Sequence, residues 1–117
     1  MVAGCSDISA SGDGLFEKVK EGEMKFRKGA LDGALETWIE ALRCAHMRVS
    51  GGDATYAVCS CGFYLAYSIA QLCLLRGEKR RAEAFLRNGS YYVDYSGEVC
   101  VPQAHLQKFL LLLDRCK

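Results

Sequence analysis

The chain has 117 residues, half of them hydrophobic and a quarter charged, which is the composition of one ordinary globular domain. Its formal net charge of +1 excludes an overall field that would attract nucleic acid or an anionic membrane. Seven cysteines without paired spacing indicate reduced, buried thiols and a cytoplasmic location, with the nucleus or the cytoskeleton as alternatives.

The chain begins with a Ser-, Gly- and Asp-rich stretch without any apolar run. This predicts a flexible arm over residues 1–13, followed by one helical domain over residues 14–117. Asp13 is a suitable N-cap for a first helix over residues 15–28, which Gly29 ends. The predicted apolar face of this helix consists of Phe16, Val19 and Phe26.

The second helix is predicted over residues 31–48, where apolar residues recur at steps of three and four. A loop over residues 50–53 follows, and Asp53 is expected to cap the third helix, predicted over residues 54–76. The third helix is apolar on all sides, which is typical of a core helix. Because Gln71 and several Ser and Tyr residues interrupt it, we expect no membrane span.

Two further helices are predicted over residues 79–95 and 102–116, the last beginning at Pro102. No segment shows the alternation of a strand, so the chain is predicted to be all-α with about five helices. Four consecutive leucines over residues 110–113 cannot all face one core, because successive residues circle the helix. Leu111 and Leu112 are therefore candidates for assembly, as in a homodimer; burial of this helix between two others is the alternative.

Two stretches, over residues 26–38 and 74–86, resemble each other at an offset of 48 residues. Each predicts a helix end, a glycine turn and a second helix, which is an αα-hairpin used twice. The matched pairs are Gly29 with Gly77, Ala34 with Ala82, and Trp38 with Leu86.

The hairpins resemble the tetratricopeptide repeat family, most closely over residues 22–42. In the first hairpin the matching residues are Gly22, Phe26, Gly29, Leu31, Ala34, Leu35, Trp38, Ala41 and Leu42. In the second they are Ala70, Leu74, Gly77, Ala82, Leu86 and Gly89. The resemblance implies antiparallel hairpins in a right-handed stack, with the fifth helix opening a third repeat or capping the second. The family period is about 34 residues, so the offset of 48 departs from it, and a helical bundle with two hairpins is the alternative.

The resemblance also implies a function, because the first helix of each hairpin lines a groove that holds a peptide or helix of a partner protein. The implied groove residues of the first hairpin are Phe16, Val19, Lys20, Glu23 and Arg27. Those of the second are Tyr64, Tyr67, Ser68 and Gln71. Core burial is the alternative for Tyr64 and Tyr67. Val19 and Glu23 stand where some members clamp a terminal carboxylate, and neither side chain donates a hydrogen bond to one.

The chain is therefore interpreted as a protein-binding adaptor or scaffold domain, and a structural subunit that assembles through its last helix is the alternative. A small helical enzyme or nucleic-acid factor ranks third. No catalytic motif, cofactor or metal site is expected, because His46 and His105 are the only histidines and lie far apart in sequence. A basic run around the start of the fourth helix is interpreted as a solvated face. The run comprises Arg76, Lys79, Arg80, Arg81 and Arg87.

Overall fold

The computed structural model of the protein describes residues 14–96 and 102–116. Within these two ranges there are five helices and no strand, which confirms the predicted all-α fold. Every predicted helix boundary lies within two residues of the observed one. The helices are α1 (Leu15–Arg27), α2 (Leu31–Ser50), α3 (Tyr56–Leu75), α4 (Lys79–Ser96) and α5 (Gln103–Arg115). The predicted arm over residues 1–13, including Asp13, lies outside the described residues.

The chain divides into two compact units, Met1–Cys44 and Ala45–Lys117, and the boundary falls inside α2. The single helical domain predicted for residues 14–117 is therefore built as two units.

The first unit contains the hairpin of α1 and the first part of α2, and a glycine sets how closely these helices approach. A Cβ atom added at Gly22 would lie 2.4 Å from Cδ1 of Trp38, so the indole occupies the place of the missing side chain. The indole Nε1 donates a hydrogen bond to the carbonyl oxygen of Val19 at 3.3 Å. Beside it, Nζ of Lys25 donates to the hydroxyl of buried Thr37 at 2.9 Å. The small and large packing residues of the first predicted hairpin thus meet.

The buried face of α1 differs from the predicted one. Leu15 and Gly22 are buried, whereas the predicted apolar residues Phe16 and Phe26 are each more than 40% exposed. The ring of Phe26 still lies 5.8 Å from that of Trp38, along the edge of the contact. The prediction was wrong because it considered only large apolar residues, whereas the buried face of α1 includes Gly22, which has no side chain.

The second unit has its core around α3, which is buried at ten of its 20 positions and packs along α4. Glycines again allow the close approach: a Cβ at Gly62 would lie 2.7 Å from the ring of Tyr92, and one at Gly89 would lie 2.8 Å from Cβ of Ala66. The helix α5 closes this core with the fully buried ring of Phe109, which lies against Gly89.

The glycine turns of the two predicted hairpins are confirmed and share one geometry. Gly29 and Gly77 have φ angles of 84° and 77°, in the left-handed region that favours glycine. In each case the following amide donates to a carbonyl five residues back, from Ala30 to Lys25 at 2.9 Å and from Glu78 to Cys73 at 2.8 Å. This is the Schellman end of a helix.

The two predicted N-terminal signals are displaced by one or two residues. The hydroxyl of Thr55, rather than the Asp53 carboxylate, caps α3 by accepting from the amide of Val58 at 3.4 Å. Asp53 instead lies 4.0 Å from the Arg48 guanidinium. Pro102 is the N-cap of α5 rather than its first residue.

The helix Tyr56–Leu75 is long and apolar enough to cross a membrane by length and composition alone. Since 56% of its most apolar window is buried inside the protein, it also fits the core helix of a soluble protein, and the signal is weak.

Candidate functional site

The outer face of α1 carries the first three predicted binding residues. Lys20, Glu23 and Arg27 are exposed, and their spacing of three and four residues places them on one side of the helix. The same side presents two large apolar side chains, Phe16 at 42% exposure and Met24 at 57%. Sequence reasoning missed Met24, although its spacing of eight residues from Phe16 was a usable signal. We call these five residues the α1 stripe.

Two charged residues of the α1 stripe, Glu23 and Arg27, form only a weak ion pair. Nη2 of Arg27 lies 3.8 Å from Oε1 of Glu23, and both side chains are more than half exposed. An exposed pair at this distance contributes about 0–1 kcal/mol, so either side chain can turn to a ligand at low cost. The opposite side of α1 is occupied, because Lys25 bonds to Glu21 at 3.0 Å and to Thr37.

Two of the three predicted binding residues on α3, Tyr64 and Tyr67, contact side chains of α5. Tyr64 and Tyr67 are half-buried and Gln71 is exposed. The Tyr64 hydroxyl lies 2.6 Å from Nδ1 of His105, and the ring of Tyr67 stacks on that of Phe109 at 6.4 Å. Neither tyrosine is an open groove residue or a fully buried core residue.

The six predicted binding residues therefore belong to two places. Lys20, Glu23 and Arg27 lie in the first unit, and Tyr64, Tyr67 and Gln71 lie in the second. Within the second unit, α5 contacts both tyrosines through His105 and Phe109. Of these two places, the α1 stripe is the one whose three predicted residues are all exposed.

The leucines over residues 110–113 divide between the core and the surface, as their spacing around a helix requires. Leu112 is only 8% exposed, so its assignment to an assembly surface was wrong: it lies on the Phe109 side of α5 and packs inward. Leu111, the other predicted assembly residue, is 67% exposed, and Leu110 is 50% exposed. A shallow groove includes both exposed leucines. Its lining residues are Gln107, Leu110, Leu111, Leu113 and Asp114.

The five cysteines in the described part of the chain are not joined in disulfides, and three of them are buried. Burial raises the pKa of Cys61 from 9.0 to about 11, although Arg48 opposes the shift, and burial also raises the pKa of Cys73. These two thiols therefore remain protonated near neutral pH and are poor nucleophiles. Cys5 and Cys100 lie outside the described residues.

Each histidine has an aromatic neighbour. His105 is hydrogen-bonded to Tyr64, and the ring of His46 lies 5.9 Å from that of Tyr91. Over residues 14–96 and 102–116, no group of three His, Cys, Asp or Glu side chains is arranged to hold a metal ion.

The basic run at the start of α4 is interleaved with carboxylates. Arg81 lies 3.2 Å from Glu78, and Arg87 lies 2.7 Å from Glu83. Arg76 also lies 3.7 Å from Glu78. These pairs are what a solvated helix face typically shows, since local opposite charges reduce the positive field.

No family model matches the chain, and the comparisons found neither a similar curated protein nor a similar solved structure.

Proposed function

We propose that the chain is a divergent tetratricopeptide-like interaction domain that binds an amphipathic segment of a partner protein along α1. The observation that carries the proposal is the α1 stripe: Phe16 and Met24 are exposed on the side of the helix that faces away from its buried residues. Large apolar side chains grouped on a surface helix often mark a protein-binding site.

The paired hairpins support the family part of the proposal. Each has a Schellman turn at a glycine, at Gly29 and at Gly77, and each has a glycine at the point of close helix approach. The first helix of a hairpin carries the ligand in the family that the sequence resembles, and α1 is such a helix.

The stripe defines the chemistry of its partner. Phe16 and Met24 are eight residues apart, about 12 Å along the helix axis. A partner helix with two apolar anchors seven or eight residues apart matches this distance. Lys20 lies between the two apolar residues, so an acidic side chain between the partner's anchors would complete the contact.

Helical peptides selected from a display library against the full chain test this proposal. We expect Met24→Ser to weaken the selected peptides by about tenfold or more, because interface energy concentrates in a few anchors. Met47→Ser is the matched control, since Met47 is also a strongly exposed methionine on a helix. Circular dichroism verifies that both variants are folded. Equal binding to both variants, or no selected peptide at all, would contradict the proposal.

A second role, assembly through α5, is favoured by the exposure of Leu110 and Leu111 on the side opposite Phe109. A helix that is apolar on two sides needs a second covering surface.

A further inference from the structure

We propose that α5 is a homodimerisation helix, which packs antiparallel against α5 of a second copy of this chain. This inference rests on the assembly role proposed for α5 and specifies its partner and its geometry. The contact would be centred between Leu110 and Leu111, the two exposed leucines of the helix.

The exposed side of α5 has the spacing of a helix-pairing stripe. Gln107, Leu110, Leu111 and Asp114 follow one another at offsets of zero, three, four and seven residues, and all four are exposed. Residues at these offsets form one continuous row along a helix. The same four residues, together with Leu113, line a shallow, open depression on this helix. The row lies opposite Phe109 and Leu112, which hold α5 to its own unit.

The chemistry of the row selects a second copy in antiparallel orientation. About a two-fold axis between the two leucines, each Leu110 meets the second copy's Leu111, and each Gln107 meets the second copy's Asp114. The amide of Gln107 donates hydrogen bonds and the carboxylate of Asp114 accepts them, so each end of the row is complementary to the other end. A parallel pair would instead bring the two Asp114 carboxylates together at one end, which repels. In the antiparallel arrangement the two helix dipoles also point in opposite directions, which is favourable.

The size of the row sets the strength of the contact. One helix per copy buries less than the roughly 1,200–2,000 Å² of a stable interface. We therefore expect a weak dimer that exchanges with the monomer. The basic residues Lys108 and Arg115 lie at the edge of the row and remain hydrated.

Sedimentation equilibrium of the full chain over a concentration series tests the assembly. Leu111→Ser is expected to raise the dimer dissociation constant by about tenfold or more, because the two-fold axis removes two contacts at once. Leu75→Ser is the matched control, since Leu75 is a helical leucine with 74% exposure at the end of α3. A chain that stays monomeric at all concentrations, or a dimer that survives Leu111→Ser, would overturn both the assembly role and its geometry.

Charge substitutions test the antiparallel register separately. Gln107→Glu places a carboxylate opposite Asp114 twice per dimer and should weaken the dimer. Adding Asp114→Lys to it should restore the dimer, because each new carboxylate then faces a new ammonium group. If Leu111→Ser dissociates the dimer and the double variant is not restored, α5 remains the assembly surface but the antiparallel register is wrong.

Discussion

Replacing Gly22 with alanine adds one methyl group at the tightest contact of the α1–α2 hairpin. The new Cβ would lie 2.4 Å from Cδ1 and 2.5 Å from Nε1 of Trp38, shorter than any contact that a real Cβ makes. Apolar atoms pack best at about 3.5–4.0 Å, so the indole or the helix must move by about 1 Å. The indole is 8% exposed and is bonded to the Val19 carbonyl, and the ring of Phe26 lies beside it, so it has little room to move.

Three terms decide the size of the effect, two that destabilise the variant and one that stabilises it. Overpacking of this kind costs about 1–3 kcal/mol, and loss of the Trp38–Val19 hydrogen bond costs about 0.5–1.5 kcal/mol more. Because alanine has a higher helix propensity than glycine, the substitution also stabilises the helix by up to about 1 kcal/mol. We expect Gly22→Ala to lower the free energy of unfolding of the hairpin by about 0.5–4.5 kcal/mol.

Urea unfolding followed by fluorescence measures this loss directly, because Trp38 is the only tryptophan of the chain. Gly33→Ala is the matched control: Gly33 is a helical glycine of the same hairpin, and its added Cβ meets only the side chain of Lys25, with Cδ at 3.3 Å and Cε at 4.0 Å. The control is expected to be neutral or more stable by up to about 1 kcal/mol. If the two variants agree to within about 0.5 kcal/mol, the close contact at Gly22 does not hold the hairpin together.

Five further substitutions, used in three comparisons, test the second unit. Phe109→Ala removes the side chain that holds α5 to the core and should lower the free energy of unfolding in urea by about 3–5 kcal/mol. Tyr64→Phe removes one hydrogen bond at the surface and should lower it by only about 0.5–1.5 kcal/mol. Equal losses in the two variants would contradict the account of α5. Because Thr55 caps α3, Thr55→Ala should lower the free energy of unfolding by about 0.5–2 kcal/mol, and Asp53→Ala should lower it by less. If thermal unfolding showed the reverse order, the cap would be Asp53. Since burial raises the pKa of Cys61 from 9.0 to about 11, its thiol favours the folded state fully below pH 9 and loses that contribution as the pH rises to about 11. Urea midpoints should fall over this window, less so in Cys61→Ala, and equal falls in the two proteins would contradict this assignment.

Local signals in the sequence were sufficient to predict the helices and their turns. The boundaries depend on residues that act within one turn of chain, such as the glycines at positions 29 and 77 and the proline at position 102. The split of the four leucines also followed from helix geometry. Gly22 and Trp38, both named as packing residues by the family resemblance, are in contact.

Features that depend on packing between helices were not accessible from the sequence. The rotation of α1 is set by Gly22 against Trp38, so Leu15 is buried and Phe16 is exposed, although both are large and apolar. In the same way, Phe109 against Gly89 sets the rotation of α5 and makes Leu110, rather than Leu112, the exposed neighbour of Leu111. Periodicity gives the spacing of a face but not which side turns inward.

The most direct test of the account is a chemical-shift map of the isotope-labelled full chain on titration with a helical peptide selected against it. If α1 binds the partner, the largest amide shifts should fall within residues 16–27 and should be lost in Met24→Ser but kept in Met47→Ser. Shifts concentrated on α3 or α5, with residues 16–27 unchanged, would contradict the α1 stripe as the binding face.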